Sequence, residues 1–256
     1  MTGSVWAKPP SQAQILATSY AVMDLESGEM LQEKNSTEVR SIASITKLMT
    51  AVVVLDAGLD LKEQIKIEPI KGISTRLRSG IQVSRETLLH IALMSSDNLA
   101  AKTLAIHYPG GEDTFIQKMN EKARSLGMFK TEFTDPTGLH ETNISTAQDL
   151  IKLLSHAGNY DVIKQYSTSE HTQIAIPNKK KNSLLDFNPT NTLVTKYKDI
   201  IVSKTGWIRK SGGCLIMLIQ DQTKKRAIVV LNSRNTRTRI LDGDLLYGMY
   251  NNGKNF

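Results

Sequence analysis

A serine and a lysine three residues apart stand near the start of the first long apolar segment. Ser44 and Lys47 form the pattern S-x-x-K. Residues at i and i+3 share one helix face, so the Lys47 ammonium group would reach the Ser44 hydroxyl. A serine hydroxyl becomes a nucleophile when a base takes its proton, and a lysine of lowered pKa is such a base. A helix cap beside a surface lysine would show the same pattern.

Two further short patterns hold groups suited to handling a peptide. Ser96-Asp97-Asn98 stands between two predicted helices, where its hydroxyl and amide could relay a proton and hold an amide group. A helix cap is the alternative there, and Ser233-Arg234-Asn235 matches the same pattern. Lys204-Thr205-Gly206 follows an apolar, β-branched run, so we place it at a strand end. There it could bind a carboxylate and let a ligand backbone pair as an added strand, or it could simply turn the chain.

The elements that must position these groups follow the order strands, helices, strands. Residues 19–25 and 29–32 predict a β-hairpin, and the runs 200–203, 214–219 and 227–231 predict three more strands. Apolar spacing predicts helices over the ranges 41–57, 84–94, 97–107, 113–126, 145–154 and 239–250. The sequence therefore predicts an α+β fold, with an antiparallel sheet built from both termini, flanking helices and a helical subdomain in the middle.

Length and composition favour one enzyme-sized globular domain. The chain has 256 residues, 40% of them hydrophobic, which is ample for a core. We expect residues 1–17 to be a loose segment and 18–256 to form one domain. The single cysteine, Cys214, excludes an intramolecular disulfide, and five scattered histidines give no pair at metal-binding spacing. The sequence therefore predicts no metal site.

The charge pattern does not indicate a nucleic-acid or membrane protein. The net charge is +7, but the lysines and arginines are scattered and aromatic residues are only 5% of the chain. The densest run, Lys179-Lys180-Lys181, is interpreted as a solvated loop. No apolar run is long enough for a membrane-spanning helix. The first residues contain no apolar secretory segment, which a trimmed exported protein would also lack.

Taken together and in this order, the three patterns are the motif set of penicillin-binding proteins and class A β-lactamases. The chain resembles the penicillin-recognising serine DD-peptidases, specifically the low-molecular-mass D-alanyl-D-alanine carboxypeptidase/endopeptidase group, from about residue 18 to the last helix. The stretches that carry this resemblance are SIASITKLMTA, LMSSDNLAA, HYPGG, SLGM, DPTGL, NISTAQDL and SKTG. They are most similar to the penicillin-binding protein 7 group of periplasmic D-Ala-D-Ala endopeptidases.

The resemblance implies a role for each motif residue. Ser44 would be the acylated nucleophile and Lys47 its base, and Ser96 and Asn98 would form the second catalytic element. The resemblance implies that Lys204, Thr205 and Gly206 bind the substrate carboxylate or main chain. It also implies an oxyanion hole formed by the backbone N–H groups of Ser44 and of Trp207, the residue after the motif. Of Arg234, Arg237 and Arg239, one could contact the substrate carboxylate, and Arg239 is our choice. No cofactor or metal is implied.

The resemblance also implies a substrate and leaves rivals open. Peptidoglycan peptide stems would be the substrate and β-lactams covalent inhibitors, at a periplasmic or otherwise exported location, with no C-terminal β-domain. No E-x-x-L-N segment stands between Asn98 and Lys204, which argues against a class A β-lactamase. A non-catalytic penicillin-sensing or wall-binding module is the other alternative. The choice between endopeptidase and carboxypeptidase stays open, with the endopeptidase favoured.

Overall fold

A five-stranded antiparallel sheet joins the two ends of the chain. The computed structural model describes residues 15–73, 75–77, 80–176, 183–221 and 224–251. The sheet has the strand order β2-β1-β11-β10-β9. Its strands are β1 (Ser19–Asp24), β2 (Met30–Lys34), β9 (Ile200–Ile208), β10 (Gly212–Gln220) and β11 (Lys225–Ser233). The predicted sheet from both termini is confirmed, and β9 lies at its edge.

The central strands are buried on both faces because their side chains alternate between two cores. Leu215 and Met217 of β10 belong to one apolar cluster, whereas Ile216 and Leu218 belong to the other. Side chains of a strand point alternately to opposite faces, so a strand covered on both sides is apolar throughout. The last helix, α8 (Thr236–Asn251), packs on one face, and its Leu246 is fully buried there.

The middle of the chain is helical, and its short strands form small two-stranded pairs. The remaining helices are α1 (Thr46–Asp56), α2 (Arg85–Met94), α3 (Asn98–Ile106), α4 (Gly111–Ser125), α5 (Ala147–Ala157), α6 (Asp161–Ser167) and α7 (Leu193–Lys196). The remaining strands are β3 (Arg40–Ser41), β4 (Gln64–Lys66), β5 (Gln82–Ser84), β6 (Ile144–Ser145), β7 (Thr172–Ile176) and β8 (Ser183–Phe187). Side chains of Ser84, Asp97 and Thr146 cap α2, α3 and α5.

The first helix begins later than the sequence predicts. The prediction began at residue 41, but β3 ends there, a 3₁₀ turn covers Ala43–Ile45, and α1 starts at Thr46. The backbone of Ala43 has φ 47°, which is outside the right-handed helical region. The Thr46 hydroxyl donates to the Ala43 carbonyl at 2.7 Å and holds this bend. Ser44 therefore lies in the turn before the helix.

The Lys204-Thr205-Gly206 motif lies inside a strand, so its predicted place at a strand end is wrong. The strand β9 continues to Ile208 because β10 pairs with it as far as the Gly212–Ile208 pair. Of the segment 1–17, which we expect to be loose, the structure describes residues 15–17, and Ile15 and Ala17 are buried there. The lysine run 179–181 lies outside the described residues.

The structure also contains elements that apolar spacing did not reveal. They are the short helices α6 and α7 and the β7–β8 hairpin. Among the described helices, none combines the length and apolar character needed to cross a membrane.

Candidate active site

The three motifs meet where the 3₁₀ turn, the α2–α3 connection and the edge strand β9 converge. The Lys47 Nζ atom lies 2.9 Å from the Ser44 Oγ atom and 2.7 Å from Asn98 Oδ1. The Lys204 Nζ atom lies 2.8 Å from Ser96 Oγ. The structure thus brings together five motif side chains that span about 160 residues of sequence. They are those of Ser44, Lys47, Ser96, Asn98 and Lys204.

Two glycines let the backbone close tightly around the Ser44 peptide. A Cβ atom at Gly138, where φ is +79°, would lie 2.0 Å from the Ala43 carbonyl oxygen. A Cβ atom at Gly206 would lie 2.9 Å from the Ser44 backbone nitrogen. Side chains at either position would displace the Ala43–Ser44 peptide. The 135–138 turn and strand β9 therefore fix Ser44 from two sides.

Lys47 is buried in a polar cage at the base of the site. Its side chain is 1% exposed, and its Nζ atom also donates to the Thr137 carbonyl at 2.7 Å. Burial lowers the pKa of Lys47 to about 7, although the carboxylates of Asp135 and Asp97 act in the opposite direction. With two N–H donors directed to Asn98 and Thr137, the neutral amine has its lone pair available for the Ser44 hydroxyl.

The turn that supplies the Thr137 carbonyl is tied to helix α1. The Thr50 hydroxyl donates to the Pro136 carbonyl at 2.7 Å, and Asn143 Nδ2 donates to the Asp135 carbonyl at 2.9 Å. The Asp135 carboxylate accepts from the backbone N–H groups of Thr137 and Gly138. This carboxylate is 5% exposed within its own turn, so it stabilises the turn rather than facing the site.

The Ser96-Asp97-Asn98 element is held in an unusual backbone conformation. Ser96 has φ 62°, in the left-handed region that non-glycine residues rarely adopt. The Asp97 carboxylate accepts from the Ala100 N–H at 2.9 Å and from the Thr75 hydroxyl at 2.8 Å. Asp97 is thus the N-cap of α3, while Ser96 and Asn98 point to the two lysines.

Lys204 differs from Lys47 in its surroundings. It is 1% exposed, and its Nζ atom also donates to the Thr205 carbonyl at 2.9 Å. Burial, with the positive charges of Lys47 and Arg239, lowers its pKa well below the ordinary lysine value. The Thr205 hydroxyl lies 2.6 Å from the Thr190 hydroxyl. This end of the site therefore brings together basic side chains and is rich in hydrogen-bond donors.

The open edge of β9 faces the same space. The Ser203 N–H donates to Ser167 Oγ at 3.1 Å, away from the partner strand β10. Because N–H groups alternate in direction along a strand, those of Thr205 and Trp207 point to this outer edge too. The Trp207 side chain is 51% exposed. The outer edge of β9 thus carries backbone donors within and just beyond the Lys204 motif.

Of the three arginines considered in the sequence, Arg239 is the one that reaches β9. Its Nη1 atom donates to the Gly206 carbonyl at 2.7 Å, and the residue is 7% exposed. Burial lowers the pKa of its guanidinium. Arg234 and Arg237 are exposed. Arg239 therefore contacts the backbone of the Lys204 motif.

Sequence reasoning missed the groups that act through backbone atoms or through distant neighbours. These are Thr137, whose carbonyl contacts Lys47, Asp135, which shapes the turn, and Thr190, which contacts Thr205. The only available signal was the Asp135-Pro136-Thr137-Gly138 turn itself, which does not reveal its contact with helix α1.

The similarity to known proteins extends beyond the motifs to nearly the whole chain. The sequence profile of a family described as D-alanyl-D-alanine carboxypeptidase matches residues 6–235. The D-alanyl-D-alanine endopeptidase of Escherichia coli (strain K12) is 41% identical, with 97% of this chain and 81% of that protein covered. The D-alanyl-D-alanine endopeptidase of Pseudomonas aeruginosa is 40% identical, with 93% of this chain and 78% of that protein covered.

Solved structures share the fold. The Streptomyces K15 DD-transpeptidase superposes with a TM-score of 0.86 at 26% identity, covering 95% of this chain and 98% of that one. Penicillin-binding protein D2 from Listeria monocytogenes, in its ampicillin-bound form, superposes with a TM-score of 0.80 at 28% identity, covering 92% and 97% of the two chains. With the profile match and the relatives at 40% identity or more, these likenesses show that the chain belongs to the D-alanyl-D-alanine carboxypeptidase family of serine peptidases.

Proposed function

We propose that this protein is a serine DD-peptidase that acts on peptidoglycan by acyl transfer at Ser44, and that it cleaves D-Ala-containing cross-links. One observation carries the chemistry: the Ser44 hydroxyl lies 2.9 Å from a buried lysine amine whose pKa is about 7. A base of that pKa is half neutral near physiological pH, as general-base catalysis requires. The endopeptidase relatives at 41% and 40% identity support the choice of cross-links.

In the first step, Ser44 Oγ attacks the carbonyl carbon of the penultimate D-Ala. The Lys47 amine takes the hydroxyl proton as the Oγ–C bond forms, and the carbonyl oxygen becomes an oxyanion. Two backbone N–H groups stabilise that oxyanion, those of Ser44 and Trp207. Collapse of the tetrahedral intermediate breaks the C–N bond, and the leaving amine receives a proton.

Ser96 would give its hydroxyl proton to the leaving amine and take one back from protonated Lys204. Its Oγ atom lies 2.8 Å from Lys204 Nζ, while Asn98 links the same element to Lys47. In the second step, water attacks the acyl carbon and its proton goes to a neutral base of the site. The C–Oγ bond then breaks, and Lys47 returns to Ser44 Oγ the proton that it took in the first step. Free acid and regenerated enzyme are the products.

Substrate orientation follows from the donor groups of Lys204, Thr205 and β9. Lys204 and Thr205 would bind a substrate carboxylate or main-chain group, and Gly206 allows the peptide to lie against β9. Arg239 would act mainly through the Gly206 carbonyl, to which it donates at 2.7 Å. This assigns Arg239 a positioning role instead of the direct carboxylate contact considered from the sequence.

A β-lactam would acylate Ser44 by the same first step, but its ring amine would stay attached and leave a long-lived adduct. A β-lactamase needs a further base to activate water for rapid hydrolysis. The carboxylates nearest Lys47 do not supply it, because Asp97 accepts from Ala100 and Thr75 and Asp135 accepts from its own turn. The arrangement therefore favours a peptidase that penicillin traps over a β-lactamase, and the lysine–serine pair favours an enzyme over a sensing module.

Substrate and location go together in this proposal. Peptidoglycan lies outside the cytoplasm, so we expect the protein to be periplasmic or otherwise exported. Residues 18–256 would act as one catalytic domain, since β1 pairs with β11 and α8 packs on the same sheet. The net charge of +7 would help the protein bind a polyanionic wall polymer. Binding to isolated sacculi that does not change between low and high salt would contradict that last point.

Side-by-side digestion tests the proposed activity. Purified cross-linked muropeptides and monomeric pentapeptides are incubated with the wild-type protein and with Ser44→Ala. We expect the wild type alone to convert cross-linked dimers to monomers. Removal of only the terminal D-Ala from pentapeptides would establish a carboxypeptidase and overturn the endopeptidase assignment. Equal product from Ser44→Ala would overturn Ser44 as the nucleophile.

A further inference from the structure

A cavity of about 380 Å³ opens beside the Ser96-Asp97-Asn98 element. Its lining includes the side of that element together with residues from two other segments of the chain, namely Thr75, Arg76, Phe187 and Asn188. The cavity is continuous with catalytic groups, because Ser96 and Asn98 belong to both. Its one cationic side chain among the described lining residues is Arg76, to which the mechanism assigns no part.

Arg76 is exposed, yet its position relative to Ser96 is fixed by its neighbours. The Thr75 hydroxyl donates to the Asp97 carboxylate at 2.8 Å and accepts from the Leu77 N–H at 3.0 Å. Leu77 is 5% exposed and packs in the core. The residues on both sides of Arg76 are thus anchored, one of them directly to the catalytic element.

The guanidinium of Arg76 is also held in place by the opposite wall. Its Cζ atom lies 5.4 Å from the centroid of the Phe187 ring, a cation–π distance. It donates to the Asp186 backbone carbonyl. A guanidinium that lies over an aromatic face can keep N–H donors available at its edges. Phe187 is 2% exposed, so this wall is part of the folded core.

The opposite wall is connected to the third catalytic motif as well. The Thr190 N–H donates to the Met94 carbonyl at 3.1 Å, and the Thr190 hydroxyl lies 2.6 Å from that of Thr205. The segment that contributes Phe187 and Asn188 is therefore tied to helix α2 and to β9 on either side of the cavity. A group bound at Arg76 would sit at a defined position relative to Ser44.

The carboxylates near Arg76 accept hydrogen bonds from other groups, although the hydrogen bonds from Gln173 and His171, with the Arg76 charge, lower the pKa of Asp186. Asp97 accepts from Ala100 and Thr75, and the Asp186 carboxylate lies 2.9 Å from both His171 Nε2 and Gln173 Nε2. Among the described residues, Arg76 forms no salt bridge within 4.0 Å. The cavity therefore presents a fixed cation with donors available and serine and asparagine side chains around it.

We infer that Arg76 determines substrate specificity by binding a second carboxylate of the peptide stem, distinct from the group held by Lys204 and Thr205. The inference rests on the proposed peptidase function and adds to it the substrate chemistry: a stem with a free internal carboxylate binds, and the amidated stem binds more weakly. Planar, bidentate recognition of a carboxylate is the interaction for which a stacked guanidinium is suited.

The test compares synthetic D-Ala-D-Ala-terminated stem peptides whose internal carboxylates are free or individually amidated. They are offered to the wild type, to Arg76→Gln, and to Arg124→Gln, which removes the same charge from an exposed site on α4. Two quantities are measured: kcat/KM for each peptide, and the rate constant for acylation by benzylpenicillin, which lacks a peptide stem. Loss of a charge-assisted hydrogen bond predicts about a tenfold lower kcat/KM for Arg76→Gln on the free stem.

The expected pattern is selective. Arg76→Gln loses about tenfold on one free-carboxylate stem, is unchanged on the matching amidated stem, and is acylated by penicillin at the wild-type rate, while Arg124→Gln matches the wild type throughout. Equal losses on free and amidated stems would overturn the inference, as would slower penicillin acylation, because either result would mean that Arg76 only supports the Ser96 element.

A binding measurement separates this inference from the proposed function. In the Ser44→Ala background, calorimetry compares the Kd values for free and amidated stems, with and without Arg76→Gln. A preference for the free stem that disappears with Arg76→Gln supports the carboxylate site even if the wild type shows no hydrolysis. Equal Kd values for the two stems would overturn it while leaving the peptidase chemistry untouched.

Discussion

Lys47 and Lys204 are the same residue type, equally buried, in opposite electrostatic surroundings. Both are 1% exposed, and burial lowers the pKa of each. Around Lys47, the carboxylates of Asp135 and Asp97 moderate that effect and leave the pKa at about 7. Around Lys204, the nearby charges are Lys47 and Arg239, both positive, and they lower its pKa further.

The difference shows how two buried lysines, each within hydrogen-bond distance of a serine, can have different chemical roles. Lys47 can gain and lose a proton near neutral pH, which suits a base. Among the described residues, the charges that shift the pKa of Lys204 are both positive, so a substrate carboxylate beside it would add a negative charge and favour its protonated form. We therefore expect carboxylate binding at Lys204 to be coupled to proton uptake.

Removing Lys47 should have the largest effect. Lys47→Met keeps the length and volume of the stem but has no base, so acylation by penicillin should slow by about 10³-fold or more. The rate is measured by stopped-flow or by intact mass against time. Thermal unfolding provides the control for folding. A Lys47→Met protein that acylates within tenfold of the wild type would assign the base to another group.

The turn that supplies the Thr137 carbonyl to Lys47 should be nearly as sensitive. In Gly138→Ala, the new Cβ atom would meet the Ala43 carbonyl oxygen at 2.0 Å in a backbone with φ +79°. We expect a loss of about 3 kcal/mol in unfolding free energy, measured in urea, together with slower acylation.

Gly28→Ala is the matched control for that variant, because Gly28 has φ +74° and nothing within 4 Å of the Cβ position. It should lose only about 1 kcal/mol, from the left-handed conformation alone. Similar losses for the two variants would mean that contact with the Ser44 peptide does not matter.

Removing the Lys204 amine should weaken binding of the ligand carboxylate more than it impairs bond formation at Ser44. For Lys204→Gln, acylation by a β-lactam carboxylate should fall about tenfold to hundredfold, as expected for a lost charge-assisted hydrogen bond in a buried site. The methyl ester of the same β-lactam should lose much less. The rate constants of both compounds are compared in both proteins. Equal losses for acid and ester would contradict the assignment and give Lys204 a role in proton transfer.

The smallest expected effect is a shift in pH dependence. For the wild type, the acylation rate should rise with pH through about 7, since Lys47 must lose its proton to act as the base. The Asp97 carboxylate raises the pKa of Lys47, so Asp97→Asn should move this inflection to lower pH. Asparagine retains the capping ability of Asp97 for α3. An inflection that moves to higher pH would show that Asp97 acts on Lys47 through something other than its charge.

The sequence predicted those parts of the candidate site that consist of side chains in short motifs. The i, i+3 relation of Ser44 and Lys47 survives as a 2.9 Å contact even though the helix begins after Ser44. Ser96, Asn98 and Lys204, predicted from short motifs that are specific in combination, lie beside them, and their catalytic roles stay predictions. The strands of the five-stranded sheet and most helices followed from apolar spacing and capping residues such as Ser84.

What the sequence did not reveal depends on tertiary contacts. The Thr137 carbonyl is a backbone atom 90 residues from Lys47, so its residue type carries no signal. The continuation of β9 through Lys204 to Ile208 depends on pairing with β10, which local hydrophobicity does not encode. The delayed start of α1 results from the left-handed Ala43 and its contact with Gly138. Each of these features is imposed by a partner segment far away in the chain.

The most direct test of the central claim is the intact mass of the protein after incubation with excess penicillin, for the wild type and for Ser44→Ala. We expect the wild type alone to gain one penicillin mass and to keep it over hours, with the drug otherwise unconsumed. An adduct on Ser44→Ala would contradict Ser44 as the nucleophile. A wild type that consumes penicillin without retaining an adduct would instead be a β-lactamase, and one that leaves the drug untouched would not be a penicillin-binding peptidase.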